Sequence, residues 1–289
     1  MRVRRDRVIA GLLLLLAAAL LLPWTPAEVA QAQQASSSFR FVLLGDRTGG
    51  AVPGVYEQVW KDIAASNPAF VLSIGDLIEG VSDATAEAQW QSLNRIHQPY
   101  RRFPLFAAPG NHDVWSPVSA ALFRKHIGRP LHYSFNHGDA HFTVLDNSGS
   151  DELSPAQYDF LEADLKAHAR ARWKFVVFHR PSWIVPALFE NPRFRLHQLA
   201  KQYGVGFYLA GHIHQMVHVT FDGVTYIAAP SAGGHLRASR RYEDGWFYGH
   251  TVVNVDAREV TFEIRETGPP HGKARVTKLE AWGRAGLMR

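Results

Sequence analysis

The chain has no cysteine among its 289 residues. That absence excludes disulfide bridges, thiolate metal sites and a lipid-bearing cysteine behind a leader, so a metal bound here takes oxygen and nitrogen ligands. Long hydrophobic runs are scarce as well. The longest, Val8 to Leu22, has 15 residues and as a helix reaches about 22 Å at about 1.5 Å per residue, against a hydrocarbon core of about 30 Å. No repeat or heptad is present, and no stripe of interleaved basic and aromatic residues marks a nucleic-acid surface. Surplus charge is missing from the body of the chain too. The formal charge of +5 belongs to the ends: residues 1–32 carry four basic and two acidic groups and residues 268–289 five and one, leaving 22 basic against 23 acidic in between. That balance excludes a polyanion-binding body.

What is present begins with a leader. Four arginines flank the start of the apolar run, and Ala30-Gln31-Ala32 supplies a small-x-small cleavage pattern. Residues 1–32 are therefore predicted to be a secretory signal that is removed, placing the protein in the periplasm or outside the cell; an uncleaved membrane anchor is the alternative. Residues 33–38 read as a linker and residues 39–267 as one domain of ordinary α/β size. Gly268-Pro269-Pro270 breaks the preceding pattern, so residues 268–289 are expected to form a basic, disordered tail.

Within the domain one arrangement recurs: a buried apolar strand ends in small residues, and the next polar residue is of a metal-ligand type. Phe103 to Ala108 ends in Pro109-Gly110-Asn111-His112-Asp113. Phe41 to Leu44 ends in Gly45-Asp46, Phe70 to Ile74 in Gly75-Asp76, Phe175 to Phe178 in His179, and Phe207 to Ala210 in Gly211-His212-Ile213-His214. In an open α/β sheet the ligand crevice lies at the strands' carboxyl ends, so these strands are predicted to deliver Asp, Asp, Asn, His and His-x-His to one rim. Between them lie helical patterns over Val55 to Ser66, Ala86 to His97, Ser154-Pro155 to about Ala169, and Phe194 to Tyr203. Hairpins are predicted at Tyr133 to Leu145, where His132, His137 and His141 read as surface residues, around Asp222-Gly223, and over Trp246 to Glu266.

These motifs resemble the calcineurin-like metallophosphoesterases, the superfamily that includes purple acid phosphatases. Their pattern runs Asp-x-His, Gly-Asp, Gly-Asn-His-Asp/Glu, His and Gly-His-x-His. Gly75-Asp76, Gly110 to Asp113, His179 and Gly211 to His214 match as they stand, over roughly Phe39 to Gly234. Asp46 matches as well, but two residues later the chain has Thr48 where the pattern has His. The resemblance implies an α/β fold, a four-layer αββα sandwich of two mixed β-sheets flanked by helices. It also implies hydrolysis of phosphate esters by hydroxide generated at a dinuclear centre. Asp46, Asp76 and His214 are implied for the first ion, and Asp76, Asn111, His179 and His212 for the second. His112 is implied as the general acid that contacts phosphate, with Asp113 expected to accept from its other ring nitrogen.

Carboxylate, amide and imidazole donors suit Fe, Mn or Zn, and the resemblance implies two such transition-metal ions. The expected partner is a small-molecule phosphoester, not a nucleic acid. Thr48 motivates an alternative, a degenerate member with one metal serving as a phosphate-ligand or partner-binding module. Three flanking features have weaker signals. Glu79 is a candidate extra carboxylate, Arg47 and Arg180 adjoin ligands, and Arg237, Arg240 and Arg241 share a Gly-bounded loop expected to overhang the site.

Overall fold

The computed structural model describes residues 38–283, so the predicted leader and most of the predicted linker lie outside the described residues. No helix among the described residues is long and apolar enough to cross a membrane. Apolar, β-branched and aromatic runs form β1 (Phe39–Leu44), β2 (Phe70–Ser73) and β3 (Leu105–Ala107), which pair in parallel. The chain returns to that sheet at its other end. β10 (Gly249–Val255) lies antiparallel on the free side of β1, followed by β11 (Val260–Glu266) and β12 (Val276–Lys278). The order is β12-β11-β10-β1-β2-β3.

The second six-stranded sheet comes from the middle of the chain, in the order β4-β5-β6-β7-β9-β8. Its strands are β4 (Tyr133–His137), β5 (Ala140–Val144), β6 (Trp173–Val177), β7 (Phe207–Ala210), β8 (Val217–Phe221) and β9 (Val224–Ala228). β5, β6, β7 and β9 run parallel, with antiparallel β4 and β8 at the edges.

The period-two alternation of the strands explains the layers. Phe41 and Leu43 on β1 and Phe175 and Val177 on β6 point into one core between the sheets. There Phe41 stacks on Phe70 at 5.1 Å, Phe142 stacks on Phe175 at 4.7 Å, and Phe41 meets Phe142 edge-on at 5.3 Å. Such ring pairs contribute about 0.5–1.5 kcal/mol each beyond their buried area. Val42 and Leu44 face the other way, against α1 (Val55–Ser66), α2 (Asp83–His97) and α3 (Pro117–Ile127). Val176 and Phe178 do the same on the second sheet, against α4 (Pro155–Ala167), α5 (Ile184–Leu188) and α6 (Arg195–Tyr203). Three apolar layers between four structural layers make the expected αββα sandwich.

Two expectations need correction. The tail does not lose order at residue 268: β12 pairs Lys278 with Glu263, and Trp282 is buried against Tyr242 and Phe247. The proline pair only turns the chain, and the end of the described chain is held by burial of the Trp282 indole, whose Nε1 donates to Thr277 Oγ1 at 2.8 Å. His141 is not a surface residue but fully buried, because the edge of the hairpin is covered by α4. The helix α3 has 11 residues, closed at its start by a Ser116–Ser119 capping box and at its end by left-handed Gly128.

Candidate metal centre

The strand ends meet as the spacing predicts. Asp46, Asp76, Asn111, His179 and the His212/His214 pair follow β1, β2, β3, β6 and β7, and backbone hydrogen bonds sew their loops together. Arg47 N and Thr48 N donate to the Asp76 carbonyl at 3.1 and 3.2 Å, Gly211 N donates to the His179 carbonyl at 2.8 Å, and Ala232 N and Gly234 N donate to the Asp46 carbonyl at 2.9 and 3.1 Å. Gly110 is required by closeness: a Cβ there would lie 2.2 Å from Asp76 Oδ1. Asp76, His212 and His214 all have positive φ, at +55°, +69° and +60°. Left-handed backbone at a residue other than glycine costs of order 1–3 kcal/mol and gathers at functional sites.

Four of the predicted ligands converge on one point. His179 Nε2 lies 3.2 Å from Asp76 Oδ2, 3.1 Å from Asn111 Oδ1 and 3.2 Å from His212 Nδ1. Ligand atoms about 2.1 Å from a shared ion and at right angles to one another stand about 3 Å apart, so this spacing fits an ion among them. The rings are aimed by their far nitrogens. His179 Nδ1 donates to the Ile74 carbonyl at 2.8 Å, and His214 Nδ1 donates to the His235 carbonyl at 2.7 Å, which fixes both rings and turns each Nε2 toward the site. His214 Nε2 is buried without a hydrogen-bond partner. An orphaned buried nitrogen is costly unless something binds it, and a cation would. Gly49 keeps the space in front of it open: a Cβ there would lie 3.1 Å from His214 Nε2 and 3.8 Å from His112 Nε2.

Burial and charge push the site's pKa values apart. Burial raises Asp46. At Asp76 burial acts upward too, but the charge and hydrogen bond of His179 outweigh it and bring the carboxyl down to about 2. Burial opposes the charged form of His179, yet Asp76 and Asp46 lift it to about 9. His212 falls to about 4 through burial first, then through the charges of His179, Arg180 and Arg237.

Asp113 is not the partner of His112. His112 Nδ1 donates instead to the Glu79 carbonyl at 2.6 Å. The Asp113 carboxylate faces inward, accepting from Leu77 N at 2.8 Å, Ile78 N at 3.3 Å and Gly110 N at 3.0 Å, and its burial raises it to about 7. It pins the loops that carry Asp76 and Asn111. The adjacency of Asp113 in sequence gave no sign of this, because a turn sends neighbouring side chains to opposite sides. Glu79 takes Ala51 N at 2.7 Å and Gly50 N at 3.4 Å, so its carboxylate tethers the loop after Thr48. Thr48 Oγ1 is buried with no hydrogen bond of good geometry, although it is near enough to Glu79 to help lower that carboxyl. Arg47 donates to the Leu77 carbonyl at 3.0 Å and lies over Tyr56, away from the ligands. Asn147, which in the sequence ends a strand at the rim and is given no metal, accepts at Oδ1 from His179 N and Arg180 N, both at 3.0 Å, and fixes the turn that presents His179.

A second group of ligand-type side chains, His141, Asp164 and His168, lies at the other end of the second sheet. His141 pairs with Lys174 in the β5–β6 register, five residues before His179, or about 16 Å at 3.3 Å per residue. Here the polar atoms are used up. Asp164 accepts from His141 Nε2 at 2.8 Å, Thr143 Oγ1 at 2.7 Å and Ser134 Oγ at 2.8 Å, while His141 Nδ1 meets Asn136 Oδ1 at 2.7 Å. The His141 and His168 rings stack at 3.8 Å and 15°, so their in-plane lone pairs run side by side and do not converge. A cleft of about 850 Å³ opens beside this group, lined by Lys166, Arg170 and Arg172, a surrounding that repels cations.

Comparison with known proteins agrees with the rim. The family model of the calcineurin-like phosphoesterases matches residues 39–216. Human tartrate-resistant acid phosphatase type 5 is 25% identical over 327 residues, covering 92% of this chain and 97% of the relative. The 3',5'-cyclic adenosine monophosphate phosphodiesterase CpdA of Haemophilus influenzae is 27% identical over 223 residues, covering 71% of this chain and 77% of the relative. Among solved structures, a purple acid phosphatase from yellow lupin superposes with a TM-score of 0.62 at 17% identity, over 84% of this chain and 53% of that one.

Proposed function

The chain belongs to the calcineurin-like phosphoesterase family, and from that premise we propose that it hydrolyses small-molecule phosphate esters with two metal ions at the sheet rim. The observation that carries the reading is the convergence of Asp76, Asn111 and His212 on His179 Nε2 beside the unpartnered His214 Nε2. Asp46, Asp76 and His214 would hold one ion, and Asp76, Asn111, His179 and His212 the other. Such ions neutralise phosphoryl charge and make water a nucleophile near neutral pH. An all-oxygen-and-nitrogen donor set suits Fe, Mn or Zn.

The rest of the work falls to the chain's own groups. His112 Nδ1 is committed to the Glu79 carbonyl, so the proton it can give lies on Nε2 of the imidazolium, on the side open at Gly49. From there it reaches the leaving alkoxide oxygen. His112 N donates to Asp76 Oδ1 at 2.9 Å, which locks acid and ligand into one unit. Asp113 holds the backbone of both loops. We place the mature protein outside the cytoplasm, on the strength of the leader pattern.

One observation favours a single ion. The ligand-type atoms of Asp76, His179 and His212 are mutually close, whereas Asp46 and His214 stand outside that group and Thr48 replaces the patterned His. Metal content after loading with Mn, Fe or Zn, read alongside hydrolysis of p-nitrophenyl phosphate, decides. Two ions with turnover are expected; one ion without turnover establishes the binding-module reading, and no bound ion overturns both.

A further inference from the structure

Gly49 stands between the acid and the His214 ring: a Cβ there would lie 3.8 Å from His112 Nε2 and 3.1 Å from His214 Nε2. Its backbone therefore walls the gap in which a leaving oxygen meets the His112 proton. Residues 49 and 50 are both glycines in left-handed backbone, at φ +83° and +88°, so no side chain of their own wedges them in place. Support comes from two sides. The loop after β9 supplies backbone contacts, with His235 N donating to the Gly49 carbonyl at 3.4 Å and Val52 N donating to the Gly233 carbonyl at 2.8 Å. From the loop after β2 comes one side chain, Glu79, whose Oε1 accepts from Ala51 N at 2.7 Å and whose Oε2 accepts from Gly50 N at 3.4 Å. Among the described residues no other side chain hydrogen-bonds to residues 49–51. The arginines noted in the sequence do not serve here: Arg180 Nη1 donates to Asp151 at 2.7 Å, Arg241 pairs with Asp244 at 3.7 Å, and Arg240 lines a separate pocket with Lys273 and Arg275.

The backbone of the same glutamate holds the acid. The Glu79 carbonyl accepts from His112 Nδ1 at 2.6 Å, and the next residue is packed against His112, since a Cβ on Gly80 would overlap the His112 carbonyl oxygen. Gly80 N donates to Gln89 Oε1 at 2.9 Å, which ties this stretch to α2. Glu79 thus grips the imidazole with its main chain and the facing wall with its side chain.

We propose that Glu79 is a positioning residue for the proton transfer, its carboxylate fixing the gap between His112 Nε2 and the backbone of residues 49–51. As the ester P–O bond breaks, its electron pair stays on the leaving oxygen, the Nε2 proton passes to that oxygen, and neutral imidazole remains. A charged acceptor holds amides more firmly than a neutral one, and a shift of about 1 Å at a reacting group costs about 10²-fold in rate. The carboxylate, an extra-ligand candidate by sequence, has a different task here, because each of its oxygens is engaged by an amide. This role rests on the hydrolase reading given above and deepens it by naming what places the acid.

The test sets glycerol 2-phosphate against p-nitrophenyl phosphate in metal-loaded protein. An alkoxide must be protonated as it leaves, whereas p-nitrophenolate is stable as an anion, so the first ester depends on the acid far more than the second. Glu79→Ala should lower kcat for glycerol 2-phosphate about 10²-fold and that for p-nitrophenyl phosphate much less, with KM and metal content near those of wild type. Glu79→Gln, which keeps an acceptor for the Ala51 amide, should recover part of the loss. In a His112→Ala background Glu79→Ala should cost nothing further, because the group it places is gone. Equal losses for both esters, or additive losses in the double variant, overturn the role, and departure of an ion from Glu79→Ala makes Glu79 a ligand instead. If wild type hydrolyses neither ester, the hydrolase reading fails separately. The His112 ring resonances then judge the placement by nuclear magnetic resonance: they should shift in Glu79→Ala and return toward wild type in Glu79→Gln, and resonances that stay put, or that shift equally in both variants, overturn it.

Discussion

Two clusters of histidine and aspartate stand at opposite ends of the second sheet, and their chemistry differs although their composition is alike. Around Asp164 each acceptor has its donor: hydroxyls of Ser134 and Thr143 and the His141 ring close the network. Around Asp76 the far ring nitrogens are tied to carbonyls, the near ones crowd together or lack partners, and the backbone is left-handed at three ligands. A satisfied cluster is a structural element; an unsatisfied one, fixed from behind, is a receptor. Residue types alone do not separate the two, and neither does cavity volume, since the 850 Å³ cleft adjoins the satisfied cluster.

The sharpest way to break this contrast is to remove one aspartate from each cluster. Asp76→Ala should strip metal from both positions and reduce hydrolysis to background, with elemental analysis and turnover measured on the same sample. Retention of two ions would end the receptor reading. Next in size is His112→Ala, expected to lower turnover about 10²- to 10⁴-fold as one general acid is lost, with the metal retained. Emptying of the site in that variant would make His112 a ligand.

Asp164→Ala should leave metal and turnover intact but cost about 3 kcal/mol in urea unfolding, because buried donors on His141 and Thr143 lose their acceptor. Acid gives the same contrast with a sign. Burial disfavours the Asp164 charge, but hydrogen bonds from His141, Thr143 and Ser134 outweigh it and hold the pKa below 3.8. The stability it contributes is present above that value and is lost as pH falls through the folded pKa, so Asp164→Asn should flatten the acid limb of the stability curve. Asp46 has the opposite sign: burial raises it, so its ionisation costs stability wherever no cation answers it. Asp46→Asn should modestly raise the melting temperature of chelator-treated protein at pH 7 while weakening metal uptake. A lower melting temperature would show that the carboxylate stabilises the fold by itself.

Much of this rim was legible in the sequence, for a physical reason. A buried strand that stops at Gly-Asp or Gly-Asn-His must release the next polar side chain at its carboxyl end, so Asp46, Asp76, Asn111, His179, His212 and His214 could be named from spacing. The groups that aim them could not. The carbonyls of Ile74 and His235 do that work for His179 and His214, as that of Glu79 does for His112, and a carbonyl has no residue identity to read. His141 looked like a hairpin residue because nothing local announces that α4 will cover it. β12 escaped notice because Val276–Lys278 is three residues long and largely exposed, with Trp282 beyond it supplying the burial.

The position of β1 sets an order of events during synthesis. Its parallel neighbour β2 comes within thirty residues or so of chain, but its other neighbour pairs Leu43 with Thr251, and the amides that hold the Asp46 carbonyl belong to Ala232 and Gly234. Pairings that span so much chain close late and slowly. A nascent chain that has already displayed Asp46, Asp76, Asn111 and His179 still lacks the Ala232 and Gly234 amides and the β10 strand that frame Asp46, so the full rim waits for that late return of the chain.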